Sequence, residues 1–152
     1  MSRIRILIAF SAAIVVLAAL ATVSSAADKK LFATMSGKQE KPAGDPNGTG
    51  TAVITVKSNR ICYDIRPKQA GLTFAAGHIH VGAAGKAGGV VVPLFQAPKK
   101  VSGGKLVGCS PTVASSLLAK IRAKPAGYYV NIHNAAFPAG AIRGQLRSTK
   151  TA

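Results

Sequence analysis

Apolar and polar side chains alternate along most of this chain in short runs, broken by glycine, proline and asparagine. A period of two places every second residue on one face of a β-strand. LFATMSG (Leu31–Gly37), TAVITVK (Thr51–Lys57) and ICYDIRP (Ile61–Pro67) read as strands, the last two joined through SNR as a hairpin. LTFAAGHIHVG and GVVVPLF follow with AAGKAG as their turn, and YYVNIHN and AIRGQLR are joined by AAFPAG. GKQEKPAGDPNGTG is a loop, because proline, glycine and the Asp-Pro-Asn-Gly cluster each interrupt regular structure.

One stretch has a helical period instead. In CSPTVASSLLAKIRAKP, Val113, Leu117, Leu118 and Ile121 fall on one face. Ser110 is an N-cap candidate and Pro111 suits the first helical position. Lys120, Arg122 and Lys124 load the last turn, and Pro125 stops the helix. The pattern predicts an all-β fold, an antiparallel Greek-key-like β-sandwich or flattened barrel of about seven or eight strands, with one short helix at about 110–123.

The same alternation sorts the polar side chains. With Ile79 and Val81 turned inward, His78 and His80 share the other face. With Tyr128, Val130 and Ile132 inward, Tyr129, Asn131 and His133 lie opposite. Ile142 and Leu146 inward leave Arg143 and Gln145 outward. If these strands are neighbours, His78, His80, Asn131, His133, Arg143 and Gln145 form one cluster. All three histidines of the chain fall in it. An H-x-H pair on a strand can present two imidazoles to one ion, and a third from the next strand completes a set suited to copper or zinc. The competing reading is a hydrogen-bonded network that needs no cofactor and fixes strand edges through backbone carbonyls. Asn131, Arg143 and Gln145 suit that network, and Arg143 opposes a nearby cation.

The N-terminus carries a different signal. MSRIR precedes Ile6–Val23, a run without charge, and SSAA then offers small residues for cleavage after Ala26 or Ala27. That is the pattern of a signal peptide over residues 1–27, and a membrane association follows only if the segment stays uncleaved. Residues 28–152 are the length of a single domain, secreted or extracytoplasmic. In an oxidising compartment the two cysteines, Cys62 and Cys109, are expected to form a disulfide. The mature part keeps 18 of the 20 lysines and arginines against four acids, Asp28, Glu40, Asp45 and Asp64. This balance favours anionic partners, such as an envelope polymer or an extracellular protein. Nucleic acid is not expected, since no recognition motif is present and few aromatics are available to stack bases. Four acids outside any catalytic pattern exclude a serine triad and a paired-carboxylate hydrolase.

In order and spacing, FATMSGKQEKPAGDPNGTGTAVITV, ICYDI, AGHIHVGAAGKAGGVVVPLF and YYVNIHNAAFPAGAIRGQL resemble the CHRD domain first named in chordin. The most specific parts are His78–Gly82 and Asn131–Leu146. The resemblance implies an all-β domain of a family that occurs widely in exported bacterial proteins. The chain departs from the commonest pattern at Gly77, where alanine is usual, and at Ala141, where an acid is frequent. The second change removes a carboxylate that could pair with Arg143. H-x-H on a sandwich strand is also similar to copper–zinc superoxide dismutase, but three histidines are too few for that two-metal site. The expected function is a non-enzymatic binding or structural module. The alternative is a mononuclear copper or zinc protein with His78, His80 and His133 as ligands and possible redox chemistry.

Overall fold

A computed structural model describes residues 27–68 and 70–149; residues 1–26 of the signal-peptide pattern lie outside them. The strands are β1 (Lys29–Ser36), β2 (Thr49–Val56), β3 (Ile61–Lys68), β4 (Thr73–Phe74), β5 (Ala76–Val81), β6 (Val90–Phe95), β7 (Lys99–Lys100), β8 (Leu106–Cys109), β9 (Tyr128–His133) and β10 (Ile142–Gln145). One helix, α1 (Ser115–Ala123), precedes β9. Eight strands form a single antiparallel sheet in the order β6-β5-β9-β10-β1-β2-β3-β8, and β4 pairs with β7 separately. The sheet curls into a nearly closed, flattened barrel. Its two ends approach across the interior, where the Tyr63 ring of β3, the strand next to the β8 edge, lies 5.8 Å from the Phe95 ring of the β6 edge.

The alternation in the sequence sets this arrangement. Leu31, Ile54, Ile61, Ile65, Ile79, Val92, Ile132 and Ile142 are all fully buried within one core. Burying such a side chain contributes roughly 1.5–3 kcal/mol. A slip of one residue in any strand would turn that whole set outward, so the register is strongly specified. The expected hairpin pairs Ile54 with Tyr63 and Val56 with Ile61. Cys62 and Cys109 face each other on β3 and β8 and are joined as a disulfide, which fastens the edge strand to the barrel.

The helix begins five residues later than the pattern predicts, and Ser110 is not its N-cap. Residue 114 holds that place, with no side-chain cap bond. Ser110 is drawn into the barrel instead. Its Oγ accepts the Ile61 N–H at 3.0 Å and donates to the Pro111 carbonyl at 2.7 Å. The Val113 N–H then bonds the Asn59 carbonyl, so the chain stays extended beside the β2–β3 turn until residue 114. Pairing with β3 outcompetes local capping here. Leu118 and Ile121 of α1 reach the core, with Val113 and Leu117 packed at its margin.

Candidate functional site

The strands bearing the polar residues are neighbours: β9 lies between β5 and β10. In register, His78 faces Asn131 and His80 faces Tyr129, while Asn131 faces Arg143 and Tyr129 faces Gln145. This face is not an open ligand surface. Asn131 and Arg143 are 3 % and 4 % exposed, and Tyr129 is buried too. The two segments that cover it are Gly82–Gly89, reached by Arg143 and Gln145, and the loop after β1, which contributes Glu40.

The six residues divide by what they contact. Gln145 places its amide nitrogen 2.7–2.8 Å from the carbonyls of Gly82, Ala126 and Tyr128, which ties the segment after β5 and the turn that enters β9 to β10. Arg143 donates to the Lys86 carbonyl at 3.1 Å and lies over the Tyr129 ring, 4.6 Å from its centroid. Its charge partner is Glu40, 3.9 Å away and 3 % exposed. Sequence reasoning missed Glu40 and left Arg143 unpaired at Ala141. The sequence carries no signal of it: only the pairing of Ser36, at the end of β1, with Arg143 in the folded sheet brings Glu40 near. Gly140 makes room for it. A Cβ there would stand 2.7 Å from the Glu40 carboxyl, and φ is +143°. Burial pushes the Glu40 carboxyl from 4.5 up to about 7, against the pull of Arg143 and a hydrogen bond from Asn131.

His78, His80 and His133 form the second group. One nitrogen from each lies within 4.8 Å of the other two. A point therefore exists no more than about 2.8 Å (4.8/√3) from all three, close to the 2.0–2.1 Å of a metal–imidazole bond. The turn after β9 brings the Pro138 carbonyl back to His133 Nδ1 at 3.0 Å, helped by Asn134 Oδ1 accepting the Phe137 N–H. His80 Nδ1 meets the Gly88 carbonyl at 2.8 Å. A carbonyl can only accept, so both rings carry their proton on Nδ1 and present a bare Nε2. His133 Nε2 lies 3.1 Å from His78 Nδ1. His80 Nε2 is buried with no hydrogen-bond partner among the described residues.

Tethering through one nitrogen satisfies the network reading for two rings; it leaves His80 Nε2 without a partner among the described residues, while His133 Nε2 accepts from His78 Nδ1. Ligating histidines are oriented in the same way. Burial first, then His133 and His80, holds the His78 imidazole from 6.5 down to about 4. Burial also lowers His133, partly offset by its bond to Pro138. Neutral rings are the form that binds metal. Arg143 does not face the cluster directly. The Tyr129 ring stands between them, stacked on His80 at 4.8 Å on the side of β5 and under the guanidinium on the side of β10. Glu40 beside Arg143 reduces the expected repulsion of a cation only above about pH 7, where its carboxyl is ionised.

The family model of the CHRD domain matches residues 31–146, which takes in all ten strands except the first two residues of β1. No curated protein and no solved structure matches the chain. Among the described residues, no helix is long and apolar enough to cross a membrane.

Proposed function

We propose that this chain, which belongs to the CHRD domain family, is an exported, non-enzymatic binding module whose ligand is one copper ion, with zinc as the weaker alternative. The observation that carries this reading is the convergence of His78, His80 and His133, with two of the rings oriented by backbone carbonyls and His80 Nε2 buried without a partner among the described residues. Three imidazoles without a carboxylate or thiolate suit copper or zinc and disfavour calcium, magnesium and manganese. Copper(II) binds nitrogen donors more tightly than zinc does. Three neutral ligands leave the charge of the ion unbalanced and a coordination position for water or an anion. The disulfide and the signal-peptide pattern support a location outside the cytoplasm. The surplus of basic side chains supports anionic partners at the envelope.

The test is titration of the purified protein with copper(II) and zinc, beside His80→Ala. One equivalent of copper is expected, with affinity at least 100-fold lower in the variant. A wild-type protein that retains no stoichiometric metal overturns the reading and leaves the histidines as part of the network that fixes the turns.

A further inference from the structure

His80 is a ligand only if its Nε2 is bare, and the means of enforcing that lies outside the three histidines. β5 and β6 are joined by GAAGKAGG, Gly82–Gly89, a segment with almost no side chains of its own. Four side chains from β5, β9 and β10 hold its backbone. Gln145 bonds the Gly82 carbonyl at 2.8 Å and Arg143 the Lys86 carbonyl at 3.1 Å. The Tyr129 hydroxyl accepts the Gly88 N–H at 3.2 Å and lies 3.4 Å from the Gly88 carbonyl. That carbonyl accepts the His80 Nδ1–H at 2.8 Å.

Position 88 tolerates nothing but glycine. A Cβ there would stand 1.6 Å from the Val81 carbonyl oxygen, whereas at Gly89 it would meet nothing within 4 Å. Any side chain at 88 must therefore lift the segment off β5 and take its carbonyl away from His80. A neutral imidazole released from that carbonyl reverts to its commoner Nε2–H tautomer, which puts a proton where the lone pair is needed.

We propose that Gly88, braced by Tyr129, is the positioning residue of the site, its carbonyl holding His80 in the tautomer that presents Nε2. The inference rests on the metal reading for its purpose, but the tautomer is observable without metal. The experiment is NMR of ¹⁵N-histidine-labelled, metal-free protein at neutral pH, followed by copper titration of the same samples. In the wild type, His80 is expected as the Nδ1–H tautomer. Gly88→Ala is expected to lose it and to bind copper 10- to 100-fold more weakly, the usual effect of disturbing a group that orients a ligand. Gly89→Ala is expected to match the wild type in both. Tyr129→Phe keeps the ring on His80 and removes only the hydroxyl. It is expected to shift both readouts as Gly88→Ala does, by less, and it decides the matter if Gly88→Ala does not fold. An Nε2–H tautomer at His80 in the wild type overturns the proposal, as does Gly88→Ala or Tyr129→Phe matching Gly89→Ala. The Nδ1–H tautomer in a wild type that binds no copper upholds the Gly88 clamp and removes the metal reading.

Discussion

Glu40→Gln isolates the buried pair that sequence reasoning missed. Between pH 4.5 and about 7 the folded protein holds a proton on Glu40 that the unfolded chain has released. Stability falls with rising pH wherever the folded state binds more protons. The favourable contribution is therefore complete below pH 4.5 and is lost as pH rises through about 7. At ~1.4 kcal/mol per pH unit, the loss amounts to about 3 kcal/mol, and at 3 % exposure little of it is screened by solvent. His78 and His133 act in the opposite direction, so the wild-type curve alone does not report on Glu40. Subtracting the curve of Glu40→Gln does. Urea unfolding of both proteins at several pH values from 4 to 8 is the assay. The wild-type advantage over the variant should shrink by about 3 kcal/mol across that range. A difference that stays flat, or grows with pH, would refute the reasoning. It would mean that Arg143 at 3.9 Å outweighs burial and keeps the carboxylate ionised throughout.

Two further outcomes follow from the same structure. Replacing Cys62 and Cys109 together by serine opens a loop with a sequence separation of 47 and should cost about 4 kcal/mol in urea unfolding on the chain-entropy account; a cost below about 1 kcal/mol would show that β8 stays paired without its fastening. In an NMR titration of the metal-free protein, the His78 ring should take up its proton near pH 4 and His133 below its ordinary value of 6.5. That component of stability is present above pH 6.5 and lost as pH falls toward 4; a His78 midpoint near 6.5 would show that the ring is solvated rather than buried.

The strands were legible because one buried residue in two is a local signal. Ile54, Ile79, Ile132 and Ile142 point inward as the alternation requires. Adjacency of β5, β9 and β10 was not local, and it was needed before six scattered residues became neighbours. The start of α1 was misread because Ser110 and Pro111 suit a helix terminus equally well, and only the distant Ile61 N–H gives Ser110 another partner. Glu40 and Gly88 were hidden for a related reason. Each acts through contacts across the fold, Glu40 on Arg143 and Gly88 through a backbone carbonyl that has no sequence signature. The polar face is covered by a segment of glycine and alanine, so hydrophobic patterning gave no sign that Asn131 and Arg143 are buried.

Counting the imidazoles on bound copper tests the central claim most directly. Pulsed EPR of the copper(II)-loaded protein, with ¹⁵N-labelled histidine, reads that number. The account predicts one copper per chain with three imidazole nitrogens, and one fewer in each of the His78→Ala, His80→Ala and His133→Ala variants. Copper held by fewer than three imidazoles in the wild type, or a count unchanged by any of those substitutions, contradicts it.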